Sequence, residues 1–142
     1  AAANEKAKAV NCYAGAIELD DGTIITGRTT DFMGSCSAIL INAIKYLAKI
    51  PDDAHLISPS AFGPIQHLKT EYLGSINPRL HSDEVLIALS LSAVDNENAR
   101  LALSQLPKLK GTQAHVTSTI GPMDSKIFSS LGIEVTYDAK KQ

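Results

Sequence analysis

Two β-rich runs, Gly15-Ala16-Ile17-Glu18-Leu19 and Thr23-Ile24-Ile25-Thr26, flank Asp20-Asp21-Gly22 near the start of the chain. Asp-Gly at a tight turn supplies the positive φ angles of a type I′ turn, so these runs predict an antiparallel hairpin. The apolar face of such a hairpin must be covered by another element, and the next segment of the chain is helical. Ile39, Leu40, Ala43, Ile44 and Leu47 recur at helical spacing until Lys49-Ile50-Pro51 ends the pattern. Residues 54–58 then read as a short strand closed by Pro59, and Pro64 as the start of a helix carrying Ile65, Leu68 and Tyr72 up to Gly74.

Further along, Ser82 is expected as an N-cap, with Asp83 and Glu84 in the first turn where the helix dipole favours negative charge. Asp95 is expected to cap the next helix, which runs to Pro107. Residues 113–119 form a second central strand candidate. Met123 and Phe128 bracket Asp124 as a hydrophobic staple around an N-cap, and Ile133-Glu134-Val135-Thr136-Tyr137 closes a strand, helix, strand crossover that is right-handed by default. The expected fold class is α/β, a three-layer α/β/α domain with a mixed sheet of about five strands. Residues 1–14 read as an N-terminal helix or linker remnant, 15–138 as one domain and 139–142 as a tail.

Composition excludes several functions. A chain of 142 residues, 44% hydrophobic, has enough apolar material for one core without metal or disulfide staples. Thirteen basic against fifteen acidic residues give a net charge of −2, and only 5% of residues are aromatic with no Trp. Neither the basic footprint nor the stacking platforms of a nucleic-acid binder are there. Cys12 and Cys36 show no pairing pattern, which points to a reducing compartment. No stretch approaches the ~18–20 apolar residues of a membrane span, so the expected location is cytoplasmic, with no membrane partner.

The hairpin and its succeeding helix resemble the opening of the cytidine-deaminase-like fold. Zinc chemistry on that fold needs a His or Cys with a nearby Glu at the first core helix and Pro-Cys-x-x-Cys at the next. The first position reads Gly34-Ser35-Cys36-Ser37-Ala38 and the second Pro59-Ser60-Ala61-Phe62-Gly63. At most one thiolate is offered against the three protein ligands of a catalytic zinc, so no metal and no cofactor are expected in this domain.

A long, unusual stretch runs from Leu68-Lys69-Thr70-Glu71-Tyr72-Leu73-Gly74 through Ser75-Ile76-Asn77-Pro78-Arg79-Leu80-His81 to Ser82-Asp83-Glu84-Val85-Leu86 and Ser90. Together with Asp21-Gly22-Thr23-Ile24-Ile25-Thr26-Gly27 and Leu103-Ser104-Gln105-Leu106-Pro107-Lys108-Leu109-Lys110-Gly111, it resembles the C-terminal domain of the bacterial family called domain of unknown function 1846. The resemblance runs from about Gly15 to Asp138. It implies a parent protein with a larger N-terminal portion carrying a glycine-rich phosphate loop, against which this domain would pack.

Candidate site residues fall in three places. Arg28, Thr29 and Thr30 end the hairpin and Ser35 opens the next helix; free N–H groups, hydroxyls and a guanidinium can hold a phosphate or carboxylate, against the plainer reading that Thr29, Thr30 and Asp31 simply cap the helix. Lys69, Asn77, Arg79 and His81 lie in or beside a segment without apolar periodicity. They read either as anion contacts or as turn and cap residues, with Arg79 paired to Asp83 or Glu84. Ser58 sits at the C-terminal end of the expected strand, the usual ligand side of an open sheet. His55 and His115 are expected on strand faces and approach each other only if those strands are neighbours. Cys36 is expected as a buried small hydrophobe.

Two functions are compatible with these residues. One is a noncatalytic ligand-binding or assembly module, with a homo-oligomer as a further partner. The other is half of an enzyme site for an anionic small molecule, a nucleotide or sugar phosphate, at an interdomain cleft. Clustering of the candidate polar groups around one pocket favours the second, and scattering favours the first.

Overall fold

A computed structural model describes residues 2–5 and 13–138. β1 (Ala14–Glu18) and β2 (Ile24–Arg28) form the expected hairpin, with Ala14 opposite Arg28 and Glu18 opposite Ile24. Its turn is of another kind. Gly22 N donates to Leu19 O at 2.9 Å, Leu19 N donates to Thr23 O at 2.8 Å, and Gly22 alone has positive φ, at 86°. This is the three-residue loop in which a type I turn is followed by a left-handed glycine. Asp21 Oδ1 accepts from Thr23 N at 2.9 Å, which stabilises the carboxylate and lowers its pKa.

β1 also pairs antiparallel with β3 (Gln113–Val116), which pairs parallel with β4 (Glu134–Tyr137), giving the order β2-β1-β3-β4. The crossover from β3 to β4 runs through α5 (Pro122–Ser130), as expected. α1 (Ser35–Leu47) lies across β1 and β2. That close approach explains two register partners, Gly15 and Gly27. A Cβ on Gly27 would stand 2.8 Å from the backbone of Ala38 and Ile39, and one on Gly15 would stand 2.8 Å from Val116 Cγ1. α1 ends in a Schellman motif in which Ile50 N donates to Lys45 O and Lys49 N to Tyr46 O, with Lys49 held at φ 59°.

α2 (Pro59–His67) continues into a π-turn (Leu68–Tyr72), and α3 (Ser82–Ser92), α4 (Glu97–Leu103) and a 3₁₀ turn (Leu106–Leu109) come next. Ile17, Ile39, Leu40, Ile44, Leu80, Leu89 and Phe128 are fully buried and join sheet and helices in one core. Ala2 and Ala3 stand on the opposite sheet face, beside Ala16, Gln113 and His115.

Residues 54–58 are not a strand, so four strands are present among the described residues. Leu56 and Ile57 are buried as a strand would have them, but side chains take up the backbone carbonyls of this segment. Lys45 Nζ donates to Asp52 O and Ala54 O at 2.7 and 2.8 Å, and Asn96 Nδ2 approaches the carbonyls of His55 and Leu56. Burial of Lys45 lowers its pKa, with Asp52 and Asp53 opposing the shift. His55 therefore has no sheet neighbour, while His115 in β3 bonds Thr136 Oγ1 and Asp138 Oδ1.

Helix starts also differ. α2 begins at Pro59, the favoured first helical position, which leaves Pro64 inside it. His81, Asn96 and Gly121 are the N-cap residues of α3, α4 and α5, in place of Ser82, Asp95 and Asp124. Asn96 displaces its neighbour because its side chain accepts from Ala99 N at 3.1 Å. The expected helix or linker over residues 1–14 is described only at 2–5, which are helical, and at 13–14; residues 6–12 and the expected tail over 139–142 lie outside the described residues.

Candidate functional site

The site is organised by Leu80. This residue is fully buried and pairs in a parallel bridge with Met33. Its N–H donates to Phe32 O at 2.8 Å, and its carbonyl accepts from Ser37 Oγ at 3.1 Å. In an extended segment, the neighbours of an inward residue face the other way. Arg79 and His81 accordingly line one cavity of about 360 Å³ while Leu80 enters the core. Arg79 is steadied by its Nε donating to Thr30 O at 2.6 Å, and its N–H donates to Asn77 Oδ1 at 3.0 Å.

Three helices begin around this cavity. α1 enters it with Gly34, Ser35 and Cys36, α3 with His81, and α5 with Gly121, Pro122 and Asp124. Glycine at two of the N-caps provides no side-chain acceptor, so the positive ends of α1 and α5 face the hollow. The start of α3 is occupied: Asp124 Oδ1 accepts from Ser82 N at 2.9 Å and from Ser82 Oγ at 2.6 Å, while Glu84 Oε1 accepts from His81 N at 2.8 Å. Ser35 is only 4% exposed, and its hydroxyl makes no hydrogen bond among the described residues. Burial, reinforced by the Asp124 charge, pushes the Cys36 thiol up to about 12, so it stays protonated and is no nucleophile at neutral pH.

Of the nine candidates, Thr29, Ser35, Asn77, Arg79 and His81 share this cavity. Arg28 and Thr30 line a separate, wider groove along β2 and α1, where Thr30 Oγ1 accepts from Phe32 N and Met33 N. Ser58 is exposed at the start of α2, its hydroxyl 2.8 Å from that of Ser60, and borders neither hollow. Lys69 is 5% exposed, and its Nζ donates to Arg79 O at 2.5 Å and Glu84 Oε1 at 2.7 Å. Lys69 thus holds the frame behind Arg79, and Glu84 pairs with it and not with Arg79.

Sequence reasoning did not select Ser118, Thr119 or Asp124, which also line the cavity. The strand expected over 113–119 ends at Val116, and this frees the two hydroxyl residues into a loop at its C-terminal end. The available signal was Gly121-Pro122, a helix start directly after a central strand. His81, Asp83 and Glu84 also bring ligand-type atoms within 4.8 Å of one another, but Glu84 is already engaged by Lys69.

The fold and cavity define a mixed α/β domain whose polar hollow lies where several helices begin. The family model described as domain of unknown function DUF1846, C-terminal, matches residues 1–142. The UPF0371 protein cu0538 of Corynebacterium urealyticum is 52% identical over 140 residues, 99% of this chain and 28% of that protein. A UPF0371 protein of Corynebacterium aurimucosum is 54% identical over 136 residues, covering 96% of this chain and 27% of its own length. UPF0371 protein SUB1165 of Streptococcus uberis is 47% identical over 136 residues, 96% of this chain and 28% of its own length. The chain belongs to the DUF1846 family and corresponds to its C-terminal domain. It spans a little over a quarter of the length of these curated relatives.

Proposed function

We propose that this domain binds an anionic small molecule, of the nucleotide or sugar-phosphate class, as one half of a site completed by another part of its parent protein. The observation that carries the reading is the meeting of Arg79 with the open starts of α1 and α5 around one cavity. Backbone N–H groups, helix dipoles and a guanidinium all favour negative charge there. With Cys36 protonated, this half offers groups that bind and orient an anion and no thiolate nucleophile.

The proposed architecture is deaminase-like and three-layered. In its support, β1 runs antiparallel to both its neighbours, and Ala2 and Ala3 stand on the sheet face opposite α1. The helix that joins the two parallel strands begins Pro122-Met123-Asp124-Ser125, without cysteine, so the reading remains free of zinc chemistry.

Titration calorimetry with inorganic phosphate tests the binding. Saturable one-to-one uptake is expected for the native chain, with at least about tenfold weaker binding in Arg79→Ala and a retained cooperative melt, because a charged hydrogen-bond donor is lost. Equal affinity in the two proteins would refute the assignment.

Packing against the rest of the parent has its own support. Ile87, Leu91 and Val94 are 60%, 69% and 85% exposed and recur at spacing four and three along and just beyond α3. The opposite face of α3 buries Val85, Ala88 and Leu89, so this helix is apolar on two sides.

A further inference from the structure

We infer that the ligand of this cavity is a phosphate ester carrying a free hydroxyl near the phosphate, and that Asp124 reads that hydroxyl; the inference rests on the anion-binding reading above. Ser35 is nine-tenths buried, lines the cavity and leaves its hydroxyl without a hydrogen bond among the described residues. Its hydroxyl opens to the cavity and is free to bond a ligand oxygen there. Arg79 and the amides at the starts of α1 and α5 likewise offer donors. A phosphate group supplies the tetrahedral set of acceptors that such a group of donors can share.

Asp124 is the exception on this wall. Its Oδ1 takes both bonds from Ser82, at 2.9 and 2.6 Å, while its second oxygen makes no hydrogen bond among the described residues. An ionised carboxylate only accepts, so a bare phosphate oxygen against it is repelled and a ligand must present a donor there. The donor is a hydroxyl and not an ammonium, because an ammonium would lie among Arg79 and two positive helix ends. Asp124 is therefore a specificity residue: it admits esters that carry a hydroxyl and disfavours simple phosphate.

The test compares inorganic phosphate, methyl phosphate, glycerol 3-phosphate and phosphoethanolamine by calorimetry on this chain. Glycerol 3-phosphate is expected to bind roughly tenfold more tightly than methyl phosphate, the worth of one hydrogen bond to a charged group. Asp124→Asn keeps an oxygen for Ser82 and replaces the other with a donor. In this variant the preference should vanish, while inorganic phosphate binds at least as tightly as before. Should the variant lose its cooperative melt, the ratio in the native chain still decides. Equal affinity for methyl and glycerol phosphate would overturn the role of Asp124 and leave the anion site standing. Tighter binding of phosphoethanolamine would overturn the hydroxyl. Binding of none of the four would remove the anion site and this inference together.

Discussion

Lys69 and Arg79 are both basic and lie ten positions apart, yet their surroundings give them different work. Lys69 is buried against Glu84 and the Arg79 carbonyl, so Lys69→Ala leaves Glu84 with the His81 amide alone and should cost about 1–3 kcal/mol, read as a lower midpoint in urea. Arg79→Ala removes a partly exposed group and should cost about 1 kcal/mol, its main effect falling on anion binding. Cys36 gives a pH signature. Its thiol is held up to about 12 in the folded chain, whereas an unfolded cysteine ionises near about 8.5. Between those values the folded state binds more protons than the unfolded one, so stability falls as pH rises through the window, by at most about 1.4 kcal/mol per unit. Urea melts at pH 9 and 10 should show that loss in the native chain and a smaller one in Cys36→Ala. Parallel curves would show that the thiol is not shielded.

The Gly15 and Gly27 pair sets how closely α1 approaches the sheet. Gly27→Ala must push against the backbone of Ala38 and Ile39 and should destabilise the chain by about 1–3 kcal/mol in thermal or urea unfolding. An unchanged melt would mean that α1 stands further off. Elements with a local cause are readable from the sequence: the hairpin from its Asp-Gly turn, α1 from its apolar spacing, and the crossover from α5 to β4. Residues 54–58 mislead because burial of Leu56 and Ile57 imitates a strand, and only the tertiary position of Lys45 and Asn96 shows where the carbonyls of Ala54 and Leu56 go. The candidate site is legible in part for the same reason. Arg79 and His81 stand out in a polar loop, but their common direction depends on Leu80 pairing with Met33, a contact between distant segments. Asp124 looks like a local cap, and its partner Ser82 lies 42 positions away.

For the whole molecule, the proposed packing of α3 against the rest of the parent rests on its exposed stripe and on the relatives' length. A domain that is 28% of its relative's length has most of its possible neighbours elsewhere in that protein. Ile87→Lys with Leu91→Lys should change the stability of this chain by less than about 0.5 kcal/mol per site, since both side chains are exposed. The same pair in a full-length relative should weaken protection of α3 from hydrogen exchange, and equal protection would place the parent's contact elsewhere. Binding at the cavity has the more direct test, amide NMR of this chain during titration with inorganic phosphate. The prediction is that the amides of Ser35, Cys36, Met123 and Asp124 shift together on one saturating curve and that Arg79→Ala removes the effect. Shifts that spread over surface lysines without saturating, or that leave the starts of α1 and α5 unmoved, would contradict it.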